Sequence, residues 1–274
     1  MTNRLSVHTY CLCLVACAIG LSGGLAGAAG QRSMTRTPDA IGPAAKIIPP
    51  AENYHFPNGQ TYVLGVEWHL FNAGLARVKM EPVGSQQKVS AIADSLGVVN
   101  LLYGIHDHFE SYIDPRTFCS QRVVKHSEEG PRKRETEVQF DYSHRKTVLT
   151  EKNLKSGETK RVENDLPSCV TDVVTGFYYL AAQPLKEGSS YTFPMNDGGK
   201  TTEVRATVEA REQVKVPAGS YSTLRVVAEP TSGALKGKGK IWVWFSDDAN
   251  HTPVQMKSKL GWGTLMFRLQ RVEK

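Results

Sequence analysis

Much of the chain alternates between apolar and polar residues, which is the pattern of β-strands with one buried and one solvated face. The segment HDHFESYID is one example, because Asp107, Phe109 and Ser111 fall on one face and the residues between them on the other. Breaks at Gly198-Gly199 and at Gly219 are typical of hairpin turns between antiparallel strands. The pattern predicts roughly ten to twelve strands joined as a meander.

One segment, LPSCVTDVVTGFYYLAAQPL, has a helical period instead. We expect a helix near residues 168–182, with Ser168 or Thr171 as the N-cap and Asp172 in the first turn. It has too many apolar positions for an exposed helix, so it should cover a sheet. A second apolar stretch, LGVVNLLYGI, fits either a helical turn or a buried loop. The predicted fold class is all-β with minor α: a curved antiparallel sheet or open β-barrel with one principal helix packed on its concave face.

The first 28 residues have the organisation of an export signal, in which Arg4 precedes an apolar run and Ala26-Gly27-Ala28 supplies a cleavage site. A bacterial lipobox is the alternative, with Cys17 as the lipidated residue, but the apolar run continues well beyond that cysteine. Residues 29–53 predict a flexible leader, and residues 54–274 a single β-rich domain. No later segment has the apolar length of a transmembrane helix. The expected location is periplasmic or outer-membrane-associated.

Cleavage near Ala28 leaves two cysteines, Cys119 and Cys169. In an exported protein they most simply form one disulfide, and two separate buried thiols are the alternative. Neither belongs to a C-x-x-C motif, so neither zinc nor thioredoxin-like chemistry is expected.

The charge of the chain does not indicate a nucleic-acid partner. The 274 residues carry a formal net charge of +6, but basic and acidic residues are interleaved, as in EEGPRKRETE. A nucleic-acid-binding surface more often shows a patch of one sign with interleaved aromatic residues. Contact with anionic lipid headgroups is compatible with the positive charge.

Three groups of residues suggest chemistry, and each has a simpler structural explanation. Ser246, Asp247, Asp248 and His251 resemble the parts of a hydrolase, but no Gly-x-Ser-x-Gly elbow is present and these residue types favour a turn. The strand around His106, His108 and Glu110 can present two imidazoles to a metal, although nothing fixes further ligands. The loop GALKGKGK lacks the Walker pattern and predicts a solvated loop. We therefore predict no catalytic residue, no metal site and no cofactor.

Aromatic residues are numerous for one core. In IWVWF, Trp242 and Trp244 fall on one side of a strand while Ile241, Val243 and Phe245 fall on the other. Core packing is one interpretation, and a cavity for an acyl chain or a similar apolar ligand is the other. The candidate ligand-binding residues are Trp68, Phe109, Phe177, Tyr178, Trp242 and Trp244.

Five ordered segments resemble a known family. They are YVLGVEWHLFNAGLARV, HDHFESYIDPRTF, CVTDVVTGFYYLAAQPLKEGSSY, VKVPAGSYSTLRV and IWVWFSDDANHTPVQM, and together they run from about Tyr62 to Leu269. The chain resembles the bacterial envelope group known as domain of unknown function 3108. This resemblance implies an exported protein without an established common activity, with a curved sheet similar to those of periplasmic lipoprotein carriers.

Three functions remain in order of preference. The first is non-enzymatic binding of a hydrophobic or lipid-like envelope component. The second is a structural or protein-interaction module of the envelope that uses an exposed sheet edge or aromatic patch and binds no small ligand. The third is a hydrolase or a metal-dependent enzyme.

Overall fold

The computed structural model describes residues 45–50, 54–69, 71–232, 236–237, 239–260 and 263–274. The predicted signal peptide, including Cys17 and Ala28, lies outside these residues. The described part of the chain contains fifteen β-strands and two short α-helices.

The elements of the first half are β1 (Thr61–Trp68), β2 (Phe71–Val83), β3 (Gln86–Ser95), α1 (Gly97–Leu102), β4 (Ile105–Ile113), β5 (Ser120–Glu129), β6 (Arg132–Asp141), β7 (Lys146–Asn153) and β8 (Thr159–Asp165). Those of the second half are β9 (Thr171–Asp172), α2 (Thr175–Ala181), β10 (Ser190–Asp197), β11 (Lys200–Val216), β12 (Gly219–Pro230), β13 (Lys240–Ser246), β14 (Pro253–Leu260) and β15 (Gly263–Glu273).

All of these strands belong to one sheet, in the order β8-β7-β6-β5-β4-β3-β2-β1-β15-β14-β13-β12-β11-β10-β9. Strands β1 to β8 form a meander on one side of the sheet. The later strands, β9 to β15, lie on the other side of β1, and β15 pairs with β1. Neighbouring strands are antiparallel except β9 and β10, which are parallel. The sheet is curved and unclosed, and its content of 64% strand and 6% helix confirms the predicted fold class.

The concave face of this sheet carries the main hydrophobic core. Alternate residues of β1–β4 and β10–β15 point into it, and α2 lies against them. Ring contacts connect the helix to the sheet: Phe177 lies 5.4 Å from Phe245 and Tyr179 lies 4.8 Å from Phe193, between centroids. Burying each side chain of this size contributes roughly 1.5–3 kcal/mol. The helix therefore fills the space that the curved sheet encloses.

The helix is shorter than the sequence predicted, because it begins at Thr175 rather than near residue 168. The two residues of β9 pair instead with Met195 and Asn196 of β10. The carboxylate of Asp172 accepts the backbone N–H groups of Val174 and Thr175 at 2.9 and 3.0 Å, which turns the chain into the helix. The predicted capping by Ser168 or Thr171 was therefore wrong, and Asp172 precedes the first turn.

The same carboxylate connects α2 to the sheet. The second oxygen of Asp172 accepts the hydroxyl groups of Ser111, Ser120 and Thr175 at 2.5, 2.6 and 2.7 Å. All four residues are buried. A buried carboxylate is tolerated when its oxygens are this fully hydrogen-bonded, so Asp172 fixes the start of α2 against β4 and β5.

The predicted disulfide is confirmed. Cys119 and Cys169 are bonded at 2.06 Å, and 50 residues separate them in the sequence. The bond joins the β4–β5 connection to the segment that leads into β9, beside a hydrogen bond of 2.9 Å from the Ser120 N–H to the Val170 carbonyl oxygen. A second small core, formed by Val138, Phe140, Leu166 and Val170, lies next to this link.

Candidate functional site

Four of the six aromatic candidates belong to the main core or pack against it: Phe109, Tyr178, Phe177 and the partly buried Trp68. Phe109 and Tyr178 are buried on the concave side, and Phe177 is half-buried against Phe245. Burial raises the pKa of the Tyr178 phenol well above its usual value, and its hydroxyl group has no hydrogen-bond partner among the described residues. These side chains pack against one another and against the sheet.

The two tryptophans of β13 point the other way. Val243 and Phe245 belong to the core, so the alternation of the strand directs Trp242 and Trp244 to the outer face. There the indole N–H of Trp244 donates to a carboxylate oxygen of Glu212, and the ammonium group of Lys257 lies 5.5 Å from the ring centroid of Trp242. The outer-face tryptophans therefore do not meet Phe177 and Tyr178.

Trp68 lies at the end of β1, with its ring 5.3 Å from that of His69. The six candidates thus do not surround one common cavity in the part of the chain that the structure describes. A small, partly open gap of about 20 Å³ lies near Ala73, Ala93 and Ile105, enough for about one water molecule. Ligand binding by these six residues stays a prediction.

The segment with the hydrolase-like residues is a hairpin turn, as predicted. The hydroxyl group of Ser246 donates to Asp248 at 3.0 Å and accepts the Thr252 N–H at 2.8 Å. Asp247 forms a salt bridge of 2.9 Å with Arg211, and Nδ1 of His251 donates to the carbonyl oxygen of Ala181 at 2.7 Å. Each polar group therefore holds either the hairpin or the end of α2.

The histidines of β4 lie on the outer face of the sheet. His106 is 2.5 Å from a carboxylate oxygen of Asp94, and His108 lies opposite His126 on β5. Within the described residues, no group of three or more His, Cys, Asp and Glu side chains is placed to hold a metal ion.

The most distinctive surface lies around helix α1, for which the sequence pattern did not distinguish a helical turn from a buried loop. Helix α1 consists of GVVNLL and has no buried residue. Val98, Leu101 and Leu102 are between 70% and 84% exposed, Phe71 at the start of β2 is 71% exposed, and Leu96 is 43% exposed. The Leu96 N–H donates to the Ala73 carbonyl oxygen at 2.9 Å, which places α1 beside the first residues of β2. We call these five residues, Phe71, Leu96, Val98, Leu101 and Leu102, the apolar tip.

Basic residues flank the apolar tip. The Gly130 N–H donates to the Gly104 carbonyl oxygen at 2.7 Å, so the β5–β6 turn lies beside the end of α1. Arg132, the first residue of β6, follows that turn, is exposed, and makes no salt bridge with any residue in the described ranges. Because neighbouring strands are antiparallel, the β12–β13 connection, which carries exposed Lys236, emerges at the same end of the sheet as the β1–β2 turn.

Sequence reasoning missed the exposure of α1. LGVVNLLYGI has no polar face, and such a helix is normally buried. The available signal was the pair of glycines, Gly97 and Gly104, that isolates the stretch from the strands on both sides.

A single, strongly curved and unclosed antiparallel sheet with a helix inside it defines a β-barrel-like protein. One solved structure with this fold is the β-barrel-like protein of domain of unknown function DUF1849 from Brucella abortus, at a TM-score of 0.54 and 8% sequence identity, covering 84% of this chain and 98% of that chain. The chain itself belongs to the family described as protein of unknown function DUF3108, whose model matches residues 62–270. This match confirms the resemblance seen in the sequence.

Two weaker structural likenesses accompany it. A predicted lipoprotein of Parabacteroides distasonis gives a TM-score of 0.33 at 10% identity and covers 80% of this chain and 97% of that chain. A predicted exported protein with a YmcC-like fold from Bacteroides fragilis gives 0.32 at 10% identity and covers 81% and 98%. Likenesses at this level carry no argument about function.

No curated protein matches the sequence. Neither helix in the described ranges has the length and apolar character needed to cross a membrane.

Proposed function

We propose that this protein is a non-catalytic protein of the cell envelope that binds a lipid surface through the apolar tip. The observation that supports the proposal is α1, an apolar helix without a single buried residue. Exposed apolar patches of this kind mark interaction sites, whereas isolated exposed apolar residues need no explanation.

Helix α1 is both short and apolar. A helix of six residues is too short to be stable in water by its own hydrogen bonds, and an apolar helix normally requires apolar surroundings on all sides. Of its side chains, the half-buried Val99 packs against the core, while Leu101 and Leu102 remain in water. Transfer of a leucine side chain from water to hydrocarbon gains roughly 1.5–3 kcal/mol. The apolar tip is thus suited to shallow insertion into a bilayer.

Charge favours a lipid surface with anionic headgroups over a neutral one. Arg132 and Lys236 lie at the same end of the molecule as the apolar tip, and the chain has a net charge of +6. Each basic residue near an anionic membrane contributes about 1 kcal/mol, and stable peripheral binding generally combines an apolar with an electrostatic contribution. Arg132 and Lys236 would supply the second contribution.

The proposed location follows from the predicted export signal at residues 1–28. In the envelope, the mature chain would meet membrane surfaces either as a soluble protein released after Ala28 or as a lipoprotein attached through Cys17. Both forms allow the apolar tip to bind a membrane, so the proposal does not depend on the choice between them.

Vesicle sedimentation tests the proposal. The mature soluble chain is mixed with phosphatidylcholine vesicles that contain either no or about 30% phosphatidylglycerol. We expect sedimentation with the anionic vesicles, weakening as salt is added. Combined substitution of Leu101→Ser and Leu102→Ser should lower the apparent affinity by at least about tenfold, because two inserting side chains are lost.

The chain offers a matched control at the opposite end of the sheet. Val83 and Val272 are also exposed, at 42% and 39%, so Val83→Ser with Val272→Ser removes the same kind of surface elsewhere. This control should bind vesicles like the wild type. The lipid proposal fails if the wild type does not sediment with either vesicle or if both double variants bind equally. Photocrosslinking of an envelope protein from position 101, without vesicle binding, would instead support the protein-interaction alternative.

A further inference from the structure

The outer face of the sheet carries an open groove of about 810 Å³ at the far end from the apolar tip. It crosses β3 to β8, and its lining includes Tyr112, Gln121, Arg122, Gln139, Tyr142 and Arg161. Ser111 and Ile113 of β4 are buried, so Tyr112 between them points to the outer face. Arg122 lies opposite both Tyr112 and Gln139, so the three side chains stand in one row across three strands.

The floor of the groove is held in place by its own contacts. Nε of Arg122 donates to a carboxylate oxygen of Glu137 at 2.6 Å, and the amide of Gln139 donates to the same oxygen at 3.0 Å. The guanidinium carbon of Arg122 lies 5.8 Å from the ring centroid of Tyr112. The amide of Gln139, followed by Arg122, holds the pKa of Glu137 below its usual value, so this carboxylate stays charged and the row stays ordered.

Tyr142 lines the rim of the groove, where it is half-buried and packs against the second small core. The Tyr142 hydroxyl group donates to the Ser120 carbonyl oxygen at 2.6 Å. Its ring is stacked on Phe140 at 6.4 Å between centroids, with an interplanar angle of 16°. Gln121 is displaced from the regular pairing, because Tyr112 pairs with Arg122 while Ile113 pairs with Ser120. The bulge places the Gln121 amide in the lining beside these rings.

The charge balance selects the ligand class. Arg122 is paired with Glu137 at 2.6 Å, and the exposed guanidinium group of Arg161 lies 3.8 Å from Glu163, so each positive charge of the lining has a carboxylate beside it. Asp141 adds a further negative charge to the lining. Hydrogen bonds from Ser143 and His144 hold the pKa of Asp141 far below its usual range. The groove is therefore close to neutral, rich in amides and hydroxyl groups, and too polar for a lipid chain.

We propose that this groove binds an uncharged oligosaccharide. Sugar rings present an apolar C–H face that packs on an aromatic ring such as Tyr112, and an edge of hydroxyl groups that both donate and accept. Glutamine amides match that edge, since each supplies a donor and an acceptor. An open groove of several hundred Å³ across a sheet accommodates a chain of a few sugar units. The glycan site is separate from the apolar tip and independent of the lipid proposal.

A glycan microarray of bacterial envelope oligosaccharides, followed by calorimetric titration of the bound glycans, tests the proposal on the mature chain. We expect retention of at least one uncharged oligosaccharide. Tyr112→Ala and Gln139→Ala should each lower the affinity by about tenfold. Gln139 is exposed, so its replacement keeps the test valid even where Tyr112→Ala lowers stability.

Two controls separate the groove from the rest of the surface. Gln213→Ala replaces an equally exposed strand glutamine on β11, and Leu101→Ser alters only the apolar tip; neither should change glycan affinity. Failure of the wild type to retain any glycan overturns the proposal, as does unchanged affinity in Gln139→Ala and Tyr112→Ala. Retention of sulfated or phosphorylated glycans alone, abolished by high salt, would show an anion site and overturn it as well.

Discussion

Helices α1 and α2 are two short apolar segments with opposite surroundings. GVVNLL has six residues and none is buried, whereas six of the seven residues of TGFYYLA are buried. The difference does not come from composition, because both segments lack charged residues. It comes from what the rest of the fold places against each helix.

The partners of α2 come from distant parts of the chain. Asp172 joins its first N–H groups to Ser111 and Ser120, and His251 donates to the Ala181 carbonyl oxygen at its last turn. Helix α1 has no side-chain cap at its N-terminus. Neither helix has an acidic residue in its first turn or a basic residue in its last turn, so the difference lies in these contacts from outside the helix. An apolar helix belongs to the core only when other elements cover it and hold its ends, as they do for α2. In the part of the chain that the structure describes, no element buries the side chains of α1.

A pair of identical substitutions gives the largest expected contrast. Leu180→Ala in α2 should lower the free energy of unfolding by about 2–5 kcal/mol, because Leu180 is buried in the main core and the change leaves a cavity. Leu101→Ala in α1 should change it by less than about 0.5 kcal/mol, because Leu101 is 84% exposed. Urea denaturation of both variants measures the contrast.

The wild type and a double variant with Leu101→Ala and Leu180→Ala are measured as well. The changes in the free energy of unfolding of the two single variants should add up to that of the double variant. Equal destabilisation by the two single substitutions would contradict the difference between α1 and α2, since it would mean that Leu101 is part of the folded core. Such a result would also remove the basis for the apolar tip.

The anchoring of α2 by the β13–β14 hairpin should have a smaller effect. His251→Ala removes the hydrogen bond to Ala181 and leaves alanine at a φ of 42°, a region that alanine rarely adopts. We expect a loss of about 1–2 kcal/mol in the free energy of unfolding. His144→Ala is the control, because the His144 side chain is 79% exposed, and its effect should be within about 0.5 kcal/mol. A neutral His251→Ala would show that α2 does not depend on the hairpin.

Much of the fold was predictable from local patterns. Alternation identified the strands, as in β4 with buried Asp107, Phe109 and Ser111, and turn residues identified the hairpin after Ser246. The pairing of Cys119 with Cys169 followed from the count of cysteines that remain after the predicted cleavage. The start of α2 was not predictable, because it depends on the hydroxyl groups of Ser111 and Ser120, which the sheet brings to Asp172.

The candidate site was less predictable for the same reason. Alternation correctly placed Trp242 and Trp244 on one face of β13, but only the position of the strand in the sheet shows that this face points outward. Likewise, the apolar pattern of α1 is that of a buried segment, and its exposure depends on the absence of a covering element in the described structure. Periodicity identifies faces, whereas tertiary packing decides which face is solvated.

The smallest effect expected is a pH dependence near α2. Asp197, in the β10–β11 hairpin, is half-buried, and burial raises the pKa of its carboxyl group to about 6, with a further contribution from Asp172 and opposition from Lys125. A raised pKa means that the folded state holds the proton more tightly than the unfolded state. Below about pH 4 the group is protonated in both states; as pH rises through about 6, ionisation lowers the stability of the fold.

Asp197→Asn removes this penalty, so the variant should be more stable than the wild type by about 1 kcal/mol above pH 6, and equal to it near pH 4. Urea denaturation across that range measures the difference. Asp165→Asn is a control of opposite sign, because the ammonium group of Lys146 at 2.7 Å lowers the pKa of Asp165 in the folded state. A pH-independent difference between Asp197→Asn and the wild type would contradict a buried carboxyl group there. In that case water would reach the polar contacts near α2. The contrast between α2 and α1 would then depend only on the packing of Leu180 and the apolar residues around it.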